Sequence, residues 1–231
     1  MLKKDIKICS SEGPEFDCYL VMPETEHPAP AIVLASAIYG VDSDLRGIAD
    51  EFASHGYIAA APDLFWRTTP GPLPHDDPRL TPRGQPRLEK IATGEQDLAE
   101  VLSVLRAQPL CNGRAAVIGF CYGGPYAILG PKRLGYSAGI ACHGTQMLDF
   151  IQELEGISQP VCCIWGDQDP VAPAPVLDAY RAIPARLPNV AVHIFPGVQH
   201  GYMMRGSGPA FDQKVYEFSM GCALALLDGL C

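Results

Sequence analysis

Several common functional signals are missing from this sequence of 231 residues. Its formal net charge is -9, so a nucleic-acid partner held by charge is not expected. No apolar run approaches the roughly 20 residues that a membrane span needs. The basic start at Met1 to Lys4 is followed by no apolar stretch, so no secretory signal is predicted. Internal repeats and low-complexity tracts are absent as well.

Cysteine is plentiful, but no two cysteines have the C-x-x-C spacing typical of zinc sites and thioredoxin-like redox centres. Their number, nine, is odd, and several of them lie inside apolar, strand-like runs. We therefore predict reduced thiols in a cytoplasmic protein, with no disulfide framework, no metal site and no cofactor. The cysteines are Cys9, Cys18, Cys111, Cys121, Cys142, Cys162, Cys163, Cys222 and Cys231.

Continuous apolar runs recur along the chain and indicate strands that are buried on both faces, as in a parallel sheet. Segments with helical spacing of apolar residues lie between them, which predicts an α/β three-layer sandwich. With 48% hydrophobic and 19% charged residues, residues 1–231 are expected to form a single domain. The predicted strands are Ala31 to Ala35, Tyr57 to Ala61, Ala115 to Gly119, Ala138 to Cys142, Val161 to Trp165 and Val190 to Phe195. The predicted helices are Leu45 to His55, Gln96 to Ala107, Val176 to Ile183 and Phe211 to Leu227.

Two regions depart from this alternation. Short alternating stretches at Ile6 to Ile8 and Asp17 to Val21, separated by glycine and proline, predict an N-terminal antiparallel hairpin. The segment from Trp66 to Arg87 is rich in proline and arginine and is predicted to contain no regular helix or central strand. A long irregular loop in a compact domain is commonly functional, so we predict that this segment forms a rim of the binding pocket.

The strongest motif is Gly119-Phe120-Cys121-Tyr122-Gly123, a G-x-S-x-G nucleophile elbow with sulfur in place of oxygen. An apolar strand precedes it and a helix-compatible stretch follows it, which is the strand–turn–helix context that the elbow requires. Free cysteines are commonly buried and structural, but this context favours Cys121 as a nucleophile.

A cysteine nucleophile needs a base, and the base needs an orienting acid. Enzymes with such an elbow carry them in the order nucleophile, acid, histidine, each on a loop after a strand. His200 follows the last predicted strand and is the candidate base. Asp167 and Asp169 follow the strand before it, and either could orient His200 or cap a turn.

These motifs resemble the dienelactone hydrolase family of α/β-hydrolases. The resemblance extends over nearly the whole chain and includes Ala61-Pro62-Asp63-Leu64-Phe65, which is similar to a strand end of that family. It implies the three-layer α/β-hydrolase fold, with a mostly parallel central sheet. It also implies that Cys121 is the nucleophile, Asp169 the orienting acid and His200 the base.

The resemblance further implies an oxyanion hole formed by the backbone N–H groups of Ile38 and Tyr122. Relatives carry a glutamate just before the first of these residues, where this chain has Ala37. They also bind an anionic substrate through arginines. The candidate substrate-binding residues here are Tyr39, Arg79, Arg83, His143 and Arg205, with Arg205 one place away from the family position.

The sequence therefore predicts an enzyme that hydrolyses a small ester or lactone through a cysteinyl thioester. Two alternatives remain open: an acyltransferase on the same scaffold, and a non-catalytic or redox-sensing binding protein. We expect a small-molecule ester or lactone as the only partner, with no nucleic acid and no membrane, and a monomer or homodimer.

Overall fold

Eight strands form one sheet in the computed structural model, which describes residues 1–231. They are β1 (Leu2–Cys9), β2 (Glu15–Met22), β3 (Ala29–Ala35), β4 (Ile58–Pro62), β5 (Cys111–Phe120), β6 (Ala138–Cys142), β7 (Val161–Gly166) and β8 (Val190–Phe195). Their order across the sheet is β1-β2-β4-β3-β5-β6-β7-β8. The strands from β3 to β8 run parallel to one another. The predicted N-terminal hairpin is confirmed, because β1 pairs antiparallel with β2, which pairs antiparallel with β4.

The apolar runs become strands because both of their faces are covered. Every residue of β3, β4, β6 and β7 is buried, as expected for the inner strands of a parallel sheet. Val33 in β3 shows the arrangement, with Ala60 of β4 paired on one side and Val117 of β5 on the other. The predicted α/β fold class is confirmed.

Helices cover both faces of the sheet. They are α1 (Ser43–Ser54), α2 (Leu80–Arg83), α3 (Arg87–Arg106), α4 (Tyr126–Leu129), α5 (Ala174–Arg181) and α6 (Gln213–Asp228). Helices α1 and α6 contribute to the core on one face, whereas α3, α4 and α5 contribute to the core on the other. None of the helices combines the length and the apolar character needed to cross a bilayer.

The segment from Trp66 to Arg87 is more ordered than its proline content predicted. It contains the single helical turn α2, and its last residue, Arg87, begins α3 well before the predicted start near Gln96. Pro82 is tolerated in α2 because a first-turn N–H has no intrahelical acceptor to lose. Pro86 directly precedes α3 for a similar reason, since its fixed φ is compatible with a helix start.

The parallel arrangement decides where chemistry can occur. The carboxyl ends of β3, β5, β6, β7 and β8 lie at the same edge of the sheet, and so do the loops that follow them. These loops contain all the residues predicted for the catalytic group. The loop after β3 also contains Ile38.

Candidate active site

Cys121 lies in a strained turn directly after β5. Its φ of 49° is in the left-handed region, which a residue with a side chain rarely adopts. The two flanking glycines make this turn possible. A Cβ on Gly119 would lie 2.1 Å from the Gly123 carbonyl oxygen, and one on Gly123 would lie 2.2 Å from the Ala35 carbonyl oxygen. The backbone of the turn thus packs directly against the backbone at the end of β3. The thiol lies at the carboxyl edge of the sheet.

The structure brings Cys121, His200 and Asp169 together. His200 Nδ1 lies 2.7 Å from Asp169 Oδ2, and the Asp169 side chain is fully buried. The second oxygen of Asp169 accepts a hydrogen bond from the Val171 amide at 2.9 Å, which fixes the carboxylate. The Cys121 sulfur lies within 4.8 Å of a ring nitrogen of His200. Thiol, imidazole and carboxylate therefore stand in the order that triad chemistry uses.

Asp167 has a different environment from Asp169. It is exposed, and its Oδ1 accepts hydrogen bonds from the Gly197 amide at 2.8 Å and the Gln168 side-chain amide at 3.0 Å. The bond from Gly197, followed by that from Gln168, lowers the pKa of Asp167. This carboxylate caps the turn after β8 and makes no contact with His200.

The environment of His200 favours its protonated form. Burial by itself disfavours the charged ring, but the hydrogen bonds with Asp169 and with Cys121 outweigh burial and raise the pKa of His200 to about 10. A strongly basic imidazole beside a thiol is suited to take up the thiol proton. His200 can later return that proton to a leaving group.

His143 is a second histidine beside the sulfur, and it is unusual in having no hydrogen-bond partner. Its side chain is buried, neither ring nitrogen is partnered, and its ring stands edge-on to that of His200 with centroids 4.8 Å apart. Burial, followed by repulsion from His200, holds the pKa of His143 well below its usual 6.5. A neutral imidazole with free nitrogens is thus present within 4.8 Å of the Cys121 sulfur.

A cavity of about 600 Å³ opens beside the thiol. Both predicted oxyanion residues, Ile38 and Tyr122, line it together with Cys121 and Tyr39. The Ile38 amide N–H donates to no backbone carbonyl. Tyr39 also stacks on the ring of His75, with centroids 3.9 Å apart, which braces one wall of the cavity.

The proline-rich segment forms much of the opposite wall. Its contribution comes from its second half, in α2 and at the start of α3. The lining residues from this part of the chain are Leu80, Thr81, Gly84, Gln85 and Arg87.

Arg87 is the cation of the cavity. Its Nη2 donates to the Tyr122 carbonyl oxygen at 2.5 Å, its Nε donates to Gln146 Oε1 at 2.7 Å, and its guanidinium lies over the Tyr122 ring. Its Nη1 is buried and has no partner in the protein. Arg87 is one of the arginines of the proline-rich segment but is not among the substrate contacts predicted from the sequence. Arg87 is the first residue of α3, and the helix start fixes the position from which its side chain reaches Tyr122 and Gln146. The sequence prediction began this helix near Gln96 and therefore did not include Arg87 in it.

The three arginines selected from the sequence do not line the cavity. Arg79 is exposed and pairs with Asp77, at 2.6 Å between Nη2 and Oδ2. Arg83 is fully buried and donates to the carbonyl oxygens of Ile38, at 3.1 Å, and Gly71.

Arg205, the third of them, is also directed away from the thiol. It is exposed and lies over the ring of Tyr216, at 5.1 Å from the guanidinium carbon to the centroid. Ala37 is buried beside the Ile38 loop, and its methyl group offers the thiol no proton partner.

Comparison with known proteins identifies the family. A model of the dienelactone hydrolase family matches residues 16–220. The chain belongs to this family. It is a hydrolase of the ester and lactone class, and the resemblance seen in the motifs is confirmed.

Individual relatives are similar over nearly their full length. Carboxymethylenebutenolidase 1 of Cupriavidus pinatubonensis is 29% identical over 231 residues, which cover 98% of this chain and 97% of that protein. Carboxymethylenebutenolidase of Pseudomonas putida is 27% identical over 216 residues, covering 90% and 89%. The crystal structure of a dienelactone hydrolase-like promiscuous phosphotriesterase from metagenomic libraries has a TM-score of 0.83 at 20% identity, covering 99% and 98%, and shares the fold.

The two aspartates can be separated by mutation. Asp169→Asn should lower kcat/KM roughly 10²–10⁴-fold, because the amide cannot stabilise the protonated imidazole. Asp167→Asn is the matched control and should change kcat/KM less than about threefold, since Asp167 only caps a turn. Steady-state kinetics on an activated ester measures both. A silent Asp169→Asn would remove Asp169 from the orienting role.

The raised pKa of His200 predicts a pH dependence of stability. The folded state retains the imidazole proton up to about pH 10, whereas the unfolded chain releases it near the ordinary value of 6.5. The stabilisation is therefore complete below about pH 6.5 and is lost as the pH rises through about 10. The difference in free energy of unfolding between wild type and His200→Gln should shrink across this range, measured by urea denaturation. A constant difference for His200→Gln would contradict the prediction.

Proposed function

We propose that this protein hydrolyses a small ester or lactone through a thioester on Cys121, with His200 as the base and Asp169 as its orienting acid. The observation that carries the proposal is the grouping of Cys121, His200 and Asp169, with Cys121 in the wall of a cavity that Ile38 and Tyr122 also line. Family membership supports the hydrolase class, and this geometry supports the cysteinyl route.

In the first half of the reaction, the imidazole of His200 already carries the proton of the Cys121–His200 pair, and the Cys121 sulfur attacks the carbonyl carbon. The N–H groups of Ile38 and Tyr122 stabilise the oxyanion that forms, a contribution of about 3 kcal/mol per donor in comparable sites. When the carbon–oxygen bond breaks, His200 returns the proton to the leaving alkoxide and a thioester remains.

In the second half, His200 takes a proton from water as the water attacks the thioester carbonyl. Collapse of the second oxyanion releases the carboxylic acid and leaves the proton on His200, which restores the starting state of the Cys121–His200 pair. The buried Asp169 stabilises the imidazolium in both halves. An alcohol or thiol in place of water would give acyl transfer, which is the alternative that product analysis has to exclude.

Arg87 supports a preference for substrates with an anionic group. Its guanidinium is in the wall of the cavity next to Tyr122, and its Nη1 is free to donate to a carboxylate in a charge-assisted hydrogen bond. The nine free thiols further support a reducing, cytoplasmic setting for the enzyme.

The thioester is directly testable. Mixing the enzyme with an activated ester should give a burst of alcohol and an intact mass raised by one acyl group, because the second half is slower for such substrates. Cys121→Ala should abolish the adduct and lower kcat roughly a thousandfold or more. Cys231→Ser, at an exposed cysteine far along the chain, is the control and should retain both.

Two outcomes would contradict the proposed route. Retention of more than about a hundredth of kcat in Cys121→Ala would remove the covalent role. If an alcohol added at low concentration were converted to its ester as the main product, the acyltransferase would be favoured.

The role of Arg87 can be measured with a pair of substrates that differ only in charge. Arg87→Met should raise KM roughly 10–100-fold for an ester that carries a carboxylate, because a charge-assisted contact is lost. KM for the neutral analogue should change much less. Arg79→Met is the control and should affect neither substrate. Equal changes for both substrates in Arg87→Met would mean that the side chain only holds the Tyr122 carbonyl.

A further inference from the structure

A second cluster of sulfur and nitrogen donors lies away from the cavity, between the edge of the sheet and α6. Cys162 belongs to β7, His193 to β8 and Cys222 to α6. The two sulfur atoms and one ring nitrogen all lie within 4.8 Å of one another. No step of the proposed reaction uses any of the three residues.

The fold determines this meeting. Cys162 pairs with Ala191 and Ile164 pairs with His193, so Cys162 and His193 project from the same face of neighbouring parallel strands. That face is covered by α6. Phe218 of α6 packs edge-on against the His193 ring with centroids 4.8 Å apart. Cys222 lies one helical turn after Phe218, on the same side of the helix.

The three residues of the cluster differ in their exposure to solvent. Cys162 is buried, whereas His193 and Cys222 are half-buried. All three line a groove of about 350 Å³. The lining of this groove contains no carboxylate, and its only oxygen- or nitrogen-bearing side chains are those of His193 and Asn189. A small solute can therefore reach the two sulfur atoms from outside.

We propose that Cys162, His193 and Cys222 form a binding site for a thiophilic cation, of which Zn²⁺ is the representative. Two thiolates and an imidazole are the donors that Zn²⁺ takes up, and hard cations such as Mg²⁺ would require oxygen ligands that the groove lacks. Both thiols release their protons to solvent on binding. The fourth position of the tetrahedron faces the groove, where a water or a small ligand completes it.

The geometry needs only a small adjustment. Ligand atoms around Zn²⁺ stand about 3.5 Å apart, given bond lengths of about 2.3 Å to sulfur and about 2.0 Å to nitrogen. The present separations reach at most 4.8 Å. Rotation of the half-buried Cys222 and His193 side chains brings the donors to that spacing, while the buried Cys162 remains fixed.

Metal binding at the active site must be excluded from the measurement. Cys121, His143 and His200 also lie within 4.8 Å of one another and offer one sulfur and two nitrogens. The experiment therefore uses Cys121→Ala throughout, which removes the only sulfur of that group. The reduced protein is titrated with Co²⁺, whose thiolate charge-transfer absorption reports sulfur ligands, and then with Zn²⁺ as competitor.

In this background we expect one equivalent of Co²⁺ to bind with charge-transfer absorption, and Zn²⁺ to displace it and raise Tm. Adding Cys222→Ser should lower the affinity for Zn²⁺ at least about tenfold and remove much of the absorption, because a ligand is lost. Adding His193→Gln should lower the affinity similarly while retaining the sulfur absorption. Adding Cys231→Ser, an exposed cysteine on the same C-terminal stretch, should change neither.

The site would be overturned if Cys121→Ala showed no charge-transfer absorption with Co²⁺. It would equally be overturned if Cys222→Ser or His193→Gln bound Zn²⁺ as tightly as their parent. Circular dichroism of each variant verifies the fold, and His193→Gln tests the site independently should Cys222→Ser be destabilised. Because the background lacks the nucleophile, neither result depends on the proposed hydrolysis.

Discussion

The close backbone contact between the Cys121 turn and the end of β3 is the constraint on which the active site depends. Gly123 approaches Ala35 so closely that no side chain fits, and this contact fixes the turn relative to the sheet. Because β3 continues into the Ile38 loop, the same contact also sets the distance between the sulfur and the Ile38 amide. The Cys121 thiol and one half of the proposed oxyanion hole are therefore positioned by a single packing interaction.

The sequence was sufficient for the sheet, the hairpin and the grouping of Cys121, Asp169 and His200. Unbroken apolar runs specify buried parallel strands, and each of these three residues lies in the loop that follows such a run. Residues after parallel strands meet at one edge of the sheet whatever the details of packing. The choice of Asp169 over Asp167 needed the family resemblance, because both aspartates follow the same strand. The hydrogen bond to His200 involves Asp169.

Side chains that come from the long segment before α3 could not be assigned in this way. Arg79, Arg83 and Arg87 share charge and neighbourhood, and their different environments arise only from tertiary packing. One is exposed, one is fully buried and one lines the cavity. The cluster of Cys162, His193 and Cys222 could not be predicted from the sequence either. Its members are distant in sequence, have no metal-binding spacing and are brought together only by tertiary packing.

Arg83 and Arg87 share a feature whose consequence extends beyond binding. Arg83 donates to the carbonyl oxygen of Ile38, and Arg87 donates to that of Tyr122. One short stretch of chain therefore holds the backbone of both residues proposed to form the oxyanion hole, while its other residues shape the cavity wall. In the proposed reaction, substrate choice and the stabilisation of the reacting carbonyl are thereby mechanically linked. Exchanging this stretch between relatives would not transplant specificity as a separate module, because it would alter the rate of the chemical step at the same time.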